Sequence, residues 1–192
     1  MPGLQEDAAD DAENQRDVRA AFEAAKFDFK KIPEIEWWKD QFSAEHAQGR
    51  ARTKFLVLEG PAFMGKTMFA RHLFESENTC VIKCAGVQQP CLAGYDVGKH
   101  KAIVLDDASA ELVCQYRDLL QAGPHVGFVN QNATQRKAPR MCLYNVPIII
   151  CSNNWSSATV SMDANFSAWI KENCFHYLVK ELLYQEPVEE QS

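Results

Sequence analysis

The chain has 192 residues, of which 46% are hydrophobic and 24% are charged, with seven cysteines. This length suits one domain with a sizeable core, and the composition is that of an ordinary globular protein. No apolar run approaches the roughly 20 residues of a membrane-spanning helix, and the N-terminus lacks the basic start and apolar stretch of a secretory signal. We therefore expect no membrane segment and an intracellular protein, in the nucleus or cytoplasm, with free thiols.

The net charge of −6 is concentrated at the two ends of the chain. Residues 1–17 carry six acids and one arginine, and residues 180–192 carry four acids and one lysine, which leaves the middle near +2. A near-neutral middle is compatible with a polyanionic partner although the total charge is acidic. Residues 1–16 are poor in large apolar groups, so we expect a disordered acidic tail there and a second acidic tail over 181–192.

Residues 17–49 are predicted to be a short helical segment for packing or oligomerisation. Apolar residues recur there at helical spacing, at Val18, Phe22, Ala25 and Phe29. Pro33 interrupts this pattern, and a second helix is predicted over 35–47, with Gly49 at its end.

Residues 50–180 alternate between short apolar runs and helical patterns. The apolar runs predict buried strands over residues 54–59, 79–84, 101–105, 146–151 and 175–179. Helices are predicted between them, over residues 66–74, 110–121 and 163–173. This alternation predicts an α/β fold in which a mostly parallel five-stranded sheet lies between helices. In such a fold, ligands bind at the carboxyl ends of the strands.

The first predicted strand leads into a turn that satisfies the phosphate-loop pattern G-x-x-x-x-G-K-[ST] in full. The loop consists of Gly60, Pro61, Ala62, Phe63, Met64, Gly65, Lys66 and Thr67. Its glycines allow backbone N–H groups to point at phosphate oxygens, and the helix that follows adds its N-terminal dipole. The lysine ammonium reaches the β- and γ-phosphates, and the threonine hydroxyl ligates Mg²⁺. The loop therefore predicts binding of ATP and Mg²⁺.

Two adjacent carboxylates, Asp106 and Asp107, follow the strand over 101–105. In a phosphate-loop site, an acid at this strand end holds Mg²⁺, usually through water, and a second acid can face the water that attacks the γ-phosphate. We predict that Asp106 joins Thr67 at the metal and that Asp107 is the general base. The alternative is that Asp107 is the N-cap of the next helix.

The strand over 146–151 stops at Ser152 and Asn153. If this strand lies between the strands over 54–59 and 101–105, the Asn153 amide can hydrogen-bond the γ-phosphate or the attacking water. Asn153 then joins Lys66 and Asp107 as a catalytic residue. The alternative is an ordinary turn, since serine and asparagine are common turn residues.

Together these segments resemble the superfamily 3 helicase domain of the replication initiator (Rep) proteins of circular single-stranded DNA viruses. The resemblance rests on residues 60–67, 101–107, 123–140 and 147–155. It implies a phosphate-loop NTPase of the AAA+ type that works as a homo-oligomeric ring, usually a hexamer, and moves along single-stranded DNA. The helicases of small RNA viruses share these motifs, so RNA is an equal candidate. Asn153 looks like the polar sensor of this family.

The stretch between the acidic strand end and Asn153 looks like the hairpin with which this family contacts nucleic acid. Residues 125–130 alternate like a strand, residues 131–139 are turn-like, and residues 140–144 are able to pair back. The residues that would contact phosphates are Arg136, Lys137 and Arg140. The alternative is a solvated basic loop.

The sequence also departs from the family. No arginine follows Arg140, and only Lys171 stands where the family carries an arginine that reaches the neighbouring subunit's nucleotide. A lysine lacks the planar fork of arginine, so hydrolysis is expected to be weak unless another arginine, such as Arg117, serves. Residues 1–50 contain one histidine and no tyrosine, so DNA nicking is not expected.

Two alternatives to an ATP-hydrolysing helicase stay open. One is a catalytically weakened nucleotide-binding interaction module derived from a Rep protein. The other is a small-molecule kinase, against which the absence of arginine from residues 75–100 counts, because such enzymes normally carry an arginine-rich lid there.

Overall fold

The computed structural model describes residues 27–47, 53–86, 90–92, 94–120, 127–129, 140–143 and 145–185. These residues belong to two compact units, one with residues 27–30 and 184–185 and the other within residues 31–183. In the small unit, Asp28–Phe29 pairs antiparallel with Tyr184–Gln185, and the rings of Phe27 and Tyr184 meet edge to face with centroids 5.0 Å apart.

The larger unit contains the main sheet and its helices. In chain order its elements are α1 (Pro33–Ala47), β1 (Phe55–Glu59), α2 (Lys66–His72), a 3-10 turn (Ser76–Asn78), β2 (Thr79–Lys83), β3 (Ala102–Asp106), α3 (Ala110–Gln115), α4 (Arg117–Leu120), β4 (Gly127–Val129), β5 (Arg140–Cys142), β6 (Ile148–Ser152), α5 (Trp155–Val160), α6 (Ala164–Asn173) and β7 (Cys174–Leu178).

Five strands form a parallel sheet in the order β2-β3-β6-β1-β7. Two of the three interior strands, β1 and β6, are buried at all five positions, as expected for parallel strands that are covered on both faces. The predicted α/β fold and its five-stranded parallel sheet are therefore confirmed. Strand β6 begins only after Pro147, because proline has no N–H group for the ladder, while the Pro147 carbonyl accepts from the Ile103 N–H at 3.0 Å.

The core lies on both faces of this sheet. One face carries a hydrophobic cluster of strand and helix residues that includes Phe55, Val57, Ile103, Leu105, Ile150, Trp155 and Phe166. Alternate residues of the same strands point to the opposite face, where Leu56, Leu58 and Ile149 are fully buried. Helix α1 is fixed to the start of β1 by the indole N–H of Trp38, which donates to the Lys54 carbonyl at 2.8 Å. Because both faces are covered, the strand ends are where polar groups can meet a ligand.

Several helix boundaries differ from the sequence-based expectation. Helix α1 begins at Pro33 rather than at residue 35, because a proline in the first turn gives up no helical hydrogen bond. The helix predicted over 110–121 is two helices, since Tyr116 leaves the helical conformation with φ −110 and ψ 27. Phe29 was predicted in a helix and lies in a strand instead, while residues 18, 22 and 25 fall outside the described residues. Helix α5 was not predicted.

The two strands of the predicted hairpin pair with each other, while the residues between them, 130–139, lie outside the described residues. Strands β4 and β5 pair antiparallel, with Gly127 opposite Cys142 and Val129 opposite Arg140. Arg136 and Lys137 lie outside the described residues, as does the side chain of Arg140. The predicted acidic tail over 1–16 and residues 186–192 of the predicted tail over 181–192 also fall outside them, whereas Tyr184–Gln185, within that second tail, form a strand. None of the described helices has the length and hydropathy that a bilayer crossing requires.

Candidate nucleotide-binding site

The phosphate loop connects the buried strand β1 to helix α2, as the sequence predicts. Gly65 precedes the helix with φ 79, a left-handed conformation that glycine adopts without steric cost. Phe63 has φ 65 and an exposed fraction of 93%, which is unusual for a bulky apolar residue. Phe63 is therefore the strained position of the loop, and non-glycine residues in left-handed conformations concentrate at ligand sites.

Gly60 begins the loop at a point where two backbone segments nearly touch. A Cβ atom at this position would lie 2.6 Å from the Val179 carbonyl oxygen and 2.9 Å from the Val179 Cβ. On either side of it, the Gly60 N–H donates to the Ser152 carbonyl at 3.2 Å and the Val179 N–H donates to the Glu59 carbonyl at 2.6 Å. The loop is therefore held at its start by the strands on both sides of β1.

Gly60→Ala is expected to lower the free energy of unfolding by about 1–3 kcal/mol and to weaken ATP binding, because the added methyl group must displace the backbone at Val179. Thermal unfolding and nucleotide titration measure the two effects. Gly94→Ala is the matched control, since a Cβ at Gly94 meets nothing within 4 Å. Equal effects of the two substitutions would contradict the tight packing at Gly60.

Thr67 and Asp106 meet although they lie in different elements. The Thr67 hydroxyl, in the first turn of α2, donates to Asp106 Oδ1 at the end of β3 at 2.5 Å. A hydroxyl and a carboxylate oxygen are the donors that Mg²⁺ accepts, and this cation usually takes few protein ligands and completes its shell with water and phosphate oxygens. Within the described part of the chain, no group of three or more histidine, cysteine and acidic residues is arranged to hold a metal. The donor set therefore fits Mg²⁺ carried by a nucleotide better than a metal bound by the protein alone.

Lys66 lies between the loop and the tip of β6. Its ammonium donates to the Gly60 carbonyl at 2.8 Å, to the Pro61 carbonyl at 2.6 Å and to Asn153 Oδ1 at 2.8 Å. Burial lowers the pKa of Lys66 below its ordinary value, against the opposing effect of the negative charge of Asp107 and Asp106. Two loop carbonyls and the Asn153 amide oxygen thus orient the ammonium, and the carboxylates of Asp106 and Asp107 lie nearby. Phosphate oxygens are able to take the place of the two carbonyls as acceptors of its hydrogen bonds.

Asp107 and Asn153 complete the polar end of the sheet. Strand β6 lies between β3 and β1, as the sequence argument required, and Asn153 Nδ2 is 3.5 Å from Asp107 Oδ1. Asp107 has φ 54, a conformation that costs energy for a residue other than glycine. The alternative role of Asp107 as a helix N-cap is wrong, because the hydroxyl of Ser109 caps α3 by accepting from the Leu112 N–H at 3.2 Å.

These side chains line one open cleft with a volume of about 390 Å³. Its walls are loop residues 62–68 with Asp106, Asp107 and Asn153. The charged and hydrogen-bonding groups of this open cleft belong to Lys66, Thr67, Asp106, Asp107 and Asn153, and such groups suit a polyanion that carries a cation. Arg117 in α4 and Lys171 in α6 do not line the cleft.

The sequence analysis missed a second polar cluster beside the loop. Glu59 is the last residue of β1, is only 7% exposed, and hydrogen-bonds both Ser156 and His176. The signal in the sequence was an acid at the end of an apolar run, directly before the phosphate loop.

Comparison with known proteins gives a fold likeness at low identity. No protein-family model matches the chain, and no curated protein sequence matches it. Among solved structures it is similar to Hsp104 in a closed-state cryo-EM reconstruction with ATPγS and FITC-casein, with 10% identity and a TM-score of 0.46 over 88% of this chain. The chain spans 36% of the length of that Hsp104 chain. It is an α/β protein with a parallel five-stranded sheet and a phosphate loop at its centre.

Proposed function

We propose that the protein binds ATP with Mg²⁺ in the cleft and hydrolyses it. The observation that carries this proposal is the contact of Thr67 with Asp106, 39 residues apart in the chain, beside the contact of Lys66 with Asn153, 87 residues apart. A turn that matched the phosphate-loop pattern by chance would not bring a carboxylate to the threonine and an amide to the lysine at the same sheet edge.

The residues divide the chemistry between binding and catalysis. The loop amides and Lys66 would hold the β- and γ-phosphates, and Thr67 and Asp106 would hold Mg²⁺, which when bound would supply positive charge against the phosphate oxygens. Asp107 accepts the proton of the water that attacks the γ-phosphorus, so the bond to the β,γ-bridging oxygen breaks and ADP and phosphate leave. Asn153 orients the transferred group, since its carbonyl already contacts Lys66 and its amide faces Asp107.

The more specific proposal is a nucleic-acid-dependent ATPase of the superfamily 3 type that works as a homo-oligomeric ring on single-stranded DNA or RNA. Its support is the order of motifs along the chain together with the antiparallel pair of β4 and β5, which lies in sequence between the acidic strand β3 and the sensor strand β6. In this proposal Arg136, Lys137 and Arg140 contact backbone phosphates of the strand.

A second candidate is a nucleotide-binding interaction module that has lost most of its hydrolysis. One observation favours it: no arginine follows Arg140, and only Lys171 stands where the resemblance would place the arginine that reaches the neighbouring subunit's nucleotide. In other phosphoryl-transfer systems, an arginine supplied by a partner is worth about 10³–10⁵ in rate. Tight ATP binding with negligible turnover under conditions that form rings would select this candidate.

The helicase-type proposal predicts that single-stranded DNA or RNA stimulates ATP turnover and that the hairpin cations carry the stimulation. Replacing Arg136, Lys137 and Arg140 together with alanine should remove most of the stimulation and leave basal turnover unchanged. The variant should also reduce the slope of log affinity against log salt by about 0.7 for each phosphate contact that is lost. Steady-state ATPase assays, polymer titrations at several salt concentrations and a mass measurement in ATPγS test this.

The matched control replaces Lys31, Lys99 and Lys180, three exposed lysines outside the hairpin segment, with alanine, so that it removes the same number of positive charges. Wild-type turnover that neither polymer stimulates would remove the motor proposal and leave the ATPase. If the control variant loses as much stimulation as the hairpin variant, the polymer is attracted by the net charge of the protein and not by the hairpin.

A further inference from the structure

A buried carboxylate lies directly before the phosphate loop and has no place in the chemistry proposed above. The Glu59 side chain is only 9% exposed, yet it belongs to the central strand β1 among apolar neighbours. Glu59 Oε1 accepts from the Ser156 N–H at 2.8 Å, and Oε2 accepts from the Ser156 hydroxyl at 2.5 Å and lies 2.8 Å from His176 Nε2. A buried charge is costly unless it is fully hydrogen-bonded, and this one has three partners.

The electrostatics show that these partners outweigh the cost of burial. Burial alone would raise the pKa of Glu59, but the hydrogen bonds from Ser156 and the neighbouring His176 hold it below its ordinary value. Glu59 is therefore a carboxylate at neutral pH. Its charge is placed where a helix presents unpaired N–H groups and a positive dipole end.

That helix is α5, which begins two residues after Asn153. Its N-cap residue, Asn154, makes no side-chain capping bond, although asparagine is among the best capping residues. The Ser156 N–H is one that an N-cap side chain normally satisfies, and Glu59 satisfies it from a different strand. Glu59 thus caps α5 across the sheet, and it does so from the residue that adjoins Gly60 of the phosphate loop.

This cap affects Asn153, whose side chain lies between Lys66 and Asp107. Its carbonyl contacts the Lys66 ammonium at 2.8 Å, and its amide nitrogen lies 3.5 Å from Asp107 Oδ1. A cap on the third residue after Asn153 limits rotation of the turn that leads into α5. Because this carboxylate belongs to β1, it keeps the phosphate loop and the turn at residues 153–154 in a fixed relative position.

We propose that Glu59 is a positioning residue for Asn153: it fixes the start of α5 to the phosphate-loop strand and thereby holds the sensor amide against Lys66. This inference rests on the proposed ATPase function. His176, on the edge strand β7 with 36% of its side chain exposed, orients the carboxylate by bonding the second oxygen. Glu59 touches neither the loop amides nor the Thr67 to Asp106 contact, so its removal acts on turnover more than on nucleotide affinity.

The test compares Glu59→Ala, Glu59→Gln and Ser156→Ala in the full chain. Glu59→Ala is expected to lower kcat about 100-fold, the loss that a displacement of about 1 Å of a reacting group typically causes, while the Kd for Mg-ATPγS changes less than about threefold. Glu59→Gln keeps an oxygen acceptor for the Ser156 N–H and is expected to restore kcat to within about tenfold of wild type. Ser156→Ala keeps the N–H and loses only the hydroxyl contact, so its loss of kcat should be the smallest of the three.

Glu172→Ala is the matched control, since Glu172 is an exposed acid of α6. If Glu59 served only folding, Glu59→Ala would lower the melting temperature, raise the Kd and lower kcat together. Glu59→Gln would then not restore kcat more than it restores the melting temperature and the Kd. That pattern, or a kcat for Glu59→Ala within twofold of wild type, would overturn the inference.

A readout that does not need turnover separates this inference from the ATPase proposal. The side-chain amide signal of Asn153 in a ¹⁵N NMR spectrum, assigned by its loss in Asn153→Ala, is expected to shift in Glu59→Ala and to keep its position in Glu172→Ala. An unmoved signal in Glu59→Ala overturns the positioning role whether or not the wild type hydrolyses ATP. A shifted signal in a protein that binds but does not hydrolyse ATP would leave Glu59 positioning Asn153 and refute the ATPase.

Discussion

Lys66→Ala is expected to weaken Mg-ATP binding by about 10²–10⁴-fold and to abolish measurable hydrolysis. The reason is that, among the described residues that line the cleft, the Lys66 ammonium is the only side-chain cation. Two charge-assisted hydrogen bonds to phosphate, each worth about 1.5–3 kcal/mol, correspond to an affinity loss of that size. Fluorescence titration with a labelled nucleotide and a phosphate-release assay measure the two effects.

The fold is expected to survive this substitution. The partners of the ammonium are the Gly60 and Pro61 carbonyls and Asn153. Asn153 and the loop residues from Ala62 onward line the open cleft, so we expect water to take the place of the ammonium when the lysine is shortened. Lys99→Ala, in an exposed turn, is the matched control for the loss of one positive charge. An affinity for Mg-ATP that is the same in both variants would mean that Lys66 does not hold the phosphates.

Asp107→Asn is expected to reduce ATP turnover by about 10²–10⁴-fold while nucleotide affinity stays near the wild-type value, because asparagine cannot accept the proton of the attacking water. Asp107→Asn is expected to differ from the wild type in the proton acceptor and not in the backbone. Asp107 has φ 54, and asparagine tolerates this left-handed conformation as well as aspartate does, so the backbone is expected to keep its shape. Single-turnover hydrolysis of radiolabelled ATP measures the rate, and a melting curve shows that the fold is intact.

Asp40→Asn, which removes an exposed charge from helix α1, is the control for the change in net charge. Turnover that is equal in Asp107→Asn and in the wild type would assign the proton to another acceptor. A parallel loss of binding would place Asp107 at the metal rather than at the water.

Much of this fold follows from local sequence patterns. Strands β1, β3 and β6 are buried on both faces, so each is a continuous apolar run in the sequence. Such a run predicts a strand even when the strands beside it are not known. The loop over 60–67 is equally local. The meeting of Thr67 and Asp106 follows from these two facts, because the carboxyl ends of all strands of a parallel sheet share one edge, and only β6 lies between β1 and β3.

Long-range contacts account for what the sequence did not predict. Glu59 looks like an ordinary strand residue until its partners Ser156 and His176, 97 and 117 residues away, are brought beside it. Helix α5 has six residues and depends on that distant cap, so its own sequence carries a weak signal. The role of Ser109 as the cap of α3 instead of Asp107 was likewise decided by backbone conformation, which composition does not reveal.

The central claim is that the loop and Asp106 form one pocket for Mg²⁺ and a triphosphate. It is tested most directly by measuring the affinity for ATPγS with Mg²⁺ and with EDTA, in the wild type and in Asp106→Asn. We predict that Mg²⁺ tightens binding at least about tenfold in the wild type, a gain of about 1.4 kcal/mol, and by less than about twofold in Asp106→Asn. A wild-type affinity that is the same with Mg²⁺ and with EDTA, or a full Mg²⁺ effect in Asp106→Asn, would contradict the account.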